Sequence, residues 1–291
     1  MPSAETYTSE FHRTSYAYID PSQPRLSTSG KTVLITGGGY GIGAGIARSF
    51  ARSSASNIIL TGRTLSRLNE HKASLEAEFP KTKVQVFTMD ITDAEGVDKV
   101  FSTVVSSVAP IDIVVNNAAF LPEISPIKNA DLKDWWRGFE VNVLGTATVT
   151  RTFLATKPEG RKGVVININT SVAHYGVFPA YSSYVASKMA VLRMTESFQA
   201  ENPEVRFTSL QPGGVQTEMY AKFKMPEDYA MTDLSLPSDM SVWLSSDEAD
   251  FVGGRLIWTN WDAEELVKRK EEIISKNHLT TGLRPIEGDL Y

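Results

Sequence analysis

The most constraining feature of this chain is a short strand that runs into a glycine-rich turn and out into a helix. Residues 32–36 (TVLIT) are a β-branched apolar run. Thr36-Gly37-Gly38-Gly39-Tyr40-Gly41-Ile42-Gly43 follow, and a helical pattern begins at Gly43. Glycines there let the backbone turn sharply and let a pyrophosphate approach the helix N-terminus. The free N–H groups and the helix dipole then favour the anion. A glycine turn alone is a weak signal, and the strand before it and helix after it make it a strong one. Thr36, Gly37, Gly39, Tyr40, Gly41, Ile42 and Gly43 are therefore the candidate cradle for a dinucleotide.

The same rhythm continues along the chain. Apolar runs at 57–61, 84–88, 111–115, 164–168, 205–210 and 255–259 read as strands buried on both faces. Helical stretches at 43–54, 66–79, 93–108, 132–155 and 182–200 separate them. This alternation predicts an α/β fold, a Rossmann-type doubly wound parallel sheet with helices on both faces. With 291 residues and no internal repeat, one catalytic domain over 31–262 is expected.

Composition excludes several classes. The chain holds no cysteine, so disulfides, thiolate zinc sites and a cysteine nucleophile are out. A net charge of -5 disfavours a nucleic-acid partner. There is no apolar run of about 18 residues for a membrane span and no signal-type segment, which points to a cytoplasmic protein without a membrane partner. His12, His71 and His278 are dispersed and predict no metal site.

Two segments break the rhythm. Residues 1–30, rich in Ser, Thr, Tyr and Pro, read as an extension that frays or lies over the surface. Residues 216–241 carry Met219, Met225, Met231 and Met240 with Pro226 and Pro237, the makings of a flexible substrate lid.

The second strand end sets the cofactor preference. A site for the unphosphorylated dinucleotide usually has an acidic residue about 20 positions past the glycines. Here that position is Arg63. A guanidinium binds a ribose 2′-phosphate where a carboxylate would repel it, so NADP(H) is the expected cofactor. Asp90 and Ile91 follow the third strand, where the carboxylate can accept from the adenine amino group. Asn116, Asn117 and Ala118 follow the fourth, where small residues and amides suit a close backbone approach to a ligand.

Tyr184 and Lys188 stand four apart on a predicted helix, hence on one face. A free tyrosine has a pKa of about 10 and is a poor acid–base catalyst at neutral pH. A nearby ammonium favours the phenolate and lowers that value. Ser171 ends the fifth strand and faces the ligand crevice, where its hydroxyl can donate to a carbonyl oxygen. Asn142, polar in an apolar helix, must find partners if buried, and its amide can hold a water in a relay from Lys188.

These residues resemble the short-chain dehydrogenase/reductase family, over roughly 31–260. The glycine motif fits Thr36, Gly37, Gly41 and Gly43. The Y-x-x-x-K motif fits Tyr184 and Lys188, and the family's serine and helix asparagine fit Ser171 and Asn142. A P-G-x-V-x-T segment fits Pro212, Gly213, Val215 and Thr217, and implies contact of Thr217 and the Val215 backbone with nicotinamide. The resemblance further implies strand order 3-2-1-4-5-6-7 and a homodimer through the fourth and fifth helical stretches. The chain departs from the pattern at Ala119, where glycine is common, and at residues 263–276. There Leu266, Val267, Ile273 and Ile274 predict an amphipathic helix opening a C-terminal segment over 263–291, which leaves a tetramer open. The whole is similar to reductases of fungal secondary metabolism.

The expectation is an NADPH-dependent carbonyl reductase or the reverse alcohol dehydrogenase, with Ser171, Tyr184, Lys188 and Asn142 as its catalytic set. Ala173, His174, Tyr175, Phe178 and Tyr181, with Phe120, Leu121 and Met219, are the candidate walls for a bulky, mostly apolar ketone. His174 also reads as a second acid or a plain loop residue. An isomerase or cyclase that does not consume the cofactor, and a non-catalytic NADP-binding partner protein, remain the other readings.

Overall fold

The computed structural model describes residues 7–223 and 230–282. Its centre is a parallel sheet of seven strands in the order β3-β2-β1-β4-β5-β6-β7. The strands are β1 (Thr32–Thr36), β2 (Asn57–Gly62), β3 (Lys83–Thr88), β4 (Ile113–Asn116), β5 (Gly163–Ile168), β6 (Val205–Gln211) and β7 (Arg255–Trp258). Alternation along β1 shows why both faces are covered. Val33 and Ile35 enter the core layer under the helices α1 (Gly41–Arg52) and α7 (Ser235–Ser245), while Leu34 enters the layer under α3 (Ala94–Ser107). The doubly wound reading therefore holds, as one domain.

β1 pairs with β2 on one side and with β4 on the other, Leu34 lying opposite both Ile59 and Val114. The crossovers leave β1 in opposite directions at this point, which opens a crevice beyond the strands' carboxyl ends. α2 (Leu65–Glu78) flanks it after β2, and Asp93 caps α3 by accepting from Gly96 N at 3.1 Å.

The stretch expected as one helix over 132–155 is three pieces: α4 (Leu132–Phe139), a π-helical turn Glu140–Gly145, and α5 (Thr146–Thr156). Extra residues inside a helix are a recognised mark of functional sites. Asn142 sits in the middle of that turn and is buried. α6 (Ser182–Glu201) is continuous.

The segment before β1 lies on the domain and enters its core. Ile19 and Leu26 are fully buried, Phe11 forms an antiparallel bridge with Trp261, and His12 Nε2 meets Asp262 at 2.8 Å. Residues 1–6 fall outside the described residues.

The lid expected over 216–241 divides. Met219 stays beside the crevice, Met225 and Pro226 fall outside the described residues, and α7 from Ser235 onward is buried against α1. Met240 and Leu236 are core residues, so that half is no lid. The single helix expected over 263–276 is two, α8 (Ala263–Lys268) and α9 (Lys270–Ser275), broken at Arg269. The break lets Leu266 and Ile273 both reach the core while Ile274 faces solvent. Residues 283–291 of the segment lie outside the described part.

Candidate active site

The crevice holds a cavity of about 240 Å³. Its floor is the glycine turn. Gly37 has φ +66°, a left-handed backbone that other residues adopt at a cost. Asn117 locks this turn from below. Its Nδ2 donates to the carbonyls of Thr36 at 2.9 Å and Gly37 at 3.1 Å, and its N–H donates to Thr36 Oγ1 at 3.0 Å. A Cβ on Gly43 would meet Gly37 O at 2.4 Å and Asn117 Nδ2 at 2.5 Å, so the position has room for no side chain. His71 on α2 supports the turn from the other side through Gly38 O, at 2.8 Å, and burial holds its pKa below the usual value.

Gly37, Gly39, Tyr40, Gly41, Ile42, Arg63, Asp90, Ile91, Asn117, Ala118, Pro212 and Thr217 all wall the cavity. Thr36 and Gly43 stand behind it, bonded or packed to Asn117. Arg63 is exposed and makes no hydrogen bond or ion pair among the described residues, so its donors are free. Burial works against the charge of Asp90, but hydrogen bonds from Thr92 N (2.9 Å) and Thr92 Oγ1 (2.7 Å) outweigh it, helped by Arg137 and Arg63, and its pKa falls. This arrangement fits a dinucleotide: a backbone cradle too tight for side chains, an unpaired cation after β2 and an ionised carboxylate after β3.

Asn116 behaves otherwise. Its Nδ2 donates to Asn167 Oδ1 at 2.9 Å and Thr150 Oγ1 at 3.2 Å, in the buried layer beneath the sheet end. Successive strand residues point to opposite faces, so Asn116 turns away from the cavity that Asn117 enters. Gly213, with φ +79°, shapes the bend after β6, and Val215 is buried beside it.

The proton-transfer pair lies at the other end of the same cavity. Tyr184 and Lys188 both wall it, one helical turn apart on α6. Lys188 Nζ donates to Ile168 O at 2.8 Å, and burial lowers its pKa to about 8. Burial is also the cause acting on Tyr184, and it pushes the phenol above its ordinary value. Phe223 meets the Tyr184 ring edge-on at 5.8 Å and stacks on Tyr181 at 5.2 Å.

Asn142 spends both amide protons, on Phe120 O at 2.9 Å and Ser187 Oγ at 3.0 Å, while its Oδ1 accepts from Phe120 N at 2.8 Å. Ser187 Oγ in turn donates to Tyr184 O at 2.9 Å. The amide thus ties a cavity wall to the helix turn bearing Tyr184, and has no donor left for a relay water. Ser171 opens a 3-10 turn after β5, and its carbonyl accepts from His174 N and Tyr175 N. The cavity wall on that strand end is Ile168 and Asn169, so Ser171 and Ala173 stand beyond it.

The substrate-wall residues do not form one surface. Met219 and Phe120 face the catalytic cavity. His174 instead faces a second cavity, where Trp258 Nε1 donates to its Nε2 at 3.2 Å, and burial drops its pKa to about 4. It therefore stands apart from the proton-transfer pair. Tyr175 meets Trp258 at 6.1 Å, Leu121 is buried, and Phe178 is half-buried outside both cavities. Sequence reasoning missed Arg67, whose guanidinium lies over the Tyr40 ring at 4.5 Å and pairs with Glu218 at 3.0 Å beside the cavity. The signal was the four-residue spacing from Arg63 into α2. It also missed Phe223 and Asn169, which carry no motif.

Residues 31–228 match the short chain dehydrogenase family. A short chain dehydrogenase/reductase of Claviceps purpurea is 32% identical, over 97% of this chain and 99% of its own length. The short chain dehydrogenase citE of Monascus ruber is 32% identical over 96% of each. Among solved structures, a gluconate 5-dehydrogenase of Burkholderia cenocepacia in complex with NADP and tartrate superposes with a TM-score of 0.74. It covers 83% of this chain and 96% of its own, at 23% identity.

Proposed function

Since the chain belongs to the short-chain dehydrogenase family, we propose that it is an NADP(H)-dependent carbonyl reductase, or the reverse alcohol dehydrogenase, acting on a bulky, mostly apolar ketone. The observation that carries this reading is one cavity walled by the glycine turn, Arg63 and Asp90 at one end and by Tyr184 and Lys188 at the other. NADP complexes of structural relatives support the choice of cofactor.

A dinucleotide held in this cavity would supply hydride chemistry at a carbonyl carbon. Everything else is work for the chain's own residues. The turn Gly37–Gly43 and the N-terminus of α1 bind the pyrophosphate, and Arg63 binds the 2′-phosphate. Tyr184 gives its phenolic proton to the carbonyl oxygen as that oxygen gains electrons, so the product is a secondary alcohol. Lys188 stabilises the phenolate left behind and holds the ribose. Ser171 takes the donor role toward the same oxygen on the strength of its motif position, not of the cavity wall. Asn142 fixes the helix turn that aims Tyr184, a positioning role. Holding both reactants in one low-dielectric crevice contributes by orientation. Phe120, Met219 and Phe223 give the reacting end its apolar character.

Exposed Leu132, Trp136 and Leu144 on the 132–156 helical run support a homodimer through that face. Light scattering tests it.

The deciding experiment is Tyr184→Phe assayed with NADPH against a panel of aryl and alicyclic ketones. We expect turnover to fall by about three orders of magnitude, with NADPH affinity within about twofold of the parent. Undiminished turnover in the variant, or no NADPH consumption by the parent on any ketone, overturns the proposal.

A further inference from the structure

A second cavity, of about 510 Å³, lies between α6, β7, the segment before β1 and the residues after α9. That volume falls in the range of ordinary small-molecule sites, about 300–1,000 Å³. Tyr7 and Gly254–Gly282, outside the family-matched stretch, build much of its wall.

Its walls are aromatic. Trp258 and Trp261 are stacked at 5.9 Å, and Tyr7 meets Trp261 at 4.9 Å. Several polar groups interrupt them; Glu196 is taken up by Thr281 and Arg193, and two others bear on a ligand. An indole N–H only donates, so Trp258 Nε1 fixes His174 Nε2 as an acceptor. The proton of the neutral ring then sits on Nδ1, which is buried with no partner among the described residues. The second group is Arg255. Its Nε donates to His278 O and its Nη1 to Gly253 O, at 3.2 and 2.8 Å, and no carboxylate lies within ion-pair distance among the described residues. The other guanidinium on the wall, Arg269, already pairs with Glu272 at 3.0 Å.

We propose that this cavity is a binding site, separate from the dinucleotide crevice, for a planar aromatic carboxylate, its rings against Trp258, Trp261 and Tyr7 and its anion drawn by Arg255. Aromatic walls supply apolar contact area, and Arg255, which has no carboxylate within ion-pair distance among the described residues, supplies charge selection. The site is independent of the dehydrogenase reading.

The test titrates the full-length protein with 1-naphthoate, followed by tryptophan fluorescence and calorimetry, with and without NADPH. Expected is saturable one-to-one binding in the micromolar range, unaffected by NADPH. Arg255→Gln should weaken it at least about tenfold. Met189→Trp, at a half-exposed position of the wall, should do the same by filling space. Both variants should keep the parent's melting temperature within a few degrees and its NADPH affinity within about twofold. The uncharged analogue 1-naphthylmethanol should bind the parent about tenfold more weakly. Absence of saturation to about 1 mM overturns the proposal, as does unchanged affinity in Met189→Trp or displacement by NADPH.

Discussion

Lys188 stands one helical turn from Tyr184, yet its ammonium donates to the carbonyl of Ile168 and not to the phenol. The hydrogen bond anchors the cation at the end of β5, over the cavity. Both side chains are buried, and burial moves their pKa values in opposite directions: the lysine down to about 8, the tyrosine up. The pair's electrostatics in the crevice are thus set by desolvation before any ligand charge is added.

A pH dependence follows. The folded protein loses the Lys188 proton near pH 8, whereas an unfolded lysine keeps it to about 10.5. Between these values the unfolded chain binds more protons, so this group makes stability rise with pH. A step that needs the ammonium moves the other way. kcat/KM for NADPH, which reports the free enzyme, should fall as pH rises through about 8. Lys188→Met should show a low profile without that limb. A limb that survives in the variant assigns it to another group.

Arg63, on the wall of the crevice, makes no hydrogen bond or ion pair among the described residues. Arg63→Ala should lower the preference for NADPH over NADH by about tenfold to a hundredfold, equivalent to about 1.4–3 kcal/mol for a charge-assisted contact. The kcat/KM ratio for the two cofactors measures it. If the ratio is unchanged, the 2′-phosphate reading of this residue fails. Arg67, tied to Glu218, would then be the next candidate.

Asn142 holds three hydrogen bonds in a π-helical turn. Asn142→Ala leaves the Phe120 N–H and carbonyl without their partner, at about 2–3 kcal/mol. Because the amide orders the turn behind Tyr184, kcat should fall more than tenfold while KM for NADPH stays within about threefold. Equal loss in every parameter, tracking the melting temperature, would mean the residue is structural only.

Ile19, in the segment before β1, is fully buried. Ile19→Ala should cost about 2–5 kcal/mol of stability, readable in a denaturant midpoint. NADPH affinity in the surviving folded protein should not move. A loss under about 0.5 kcal/mol would show that the segment packs without contributing.

Much of the fold was legible because its signals are local. Continuous apolar runs mark strands covered on both faces, and the glycine turn between 36 and 43 needs only its neighbours to be recognised. The interruption at 140–145 was hidden, since a π turn differs from an α turn in its hydrogen-bond pattern and carries no residue signature of its own. Likewise Met240 reads as flexible by composition, but α7 makes it core.

By itself the sequence determined the strand–helix alternation, the cradle from Thr36 to Gly43, and the placing of Tyr184 and Lys188 on one helix face, because backbone geometry over a few residues dictates each. Only the tertiary structure decided that Asn117 enters the crevice while Asn116 turns beneath it, that Asn142 bonds to Phe120 and Ser187, and that His174 serves a different cavity from Tyr184. Those outcomes depend on which faces of distant elements meet, and on how much water that meeting removes from each polar group.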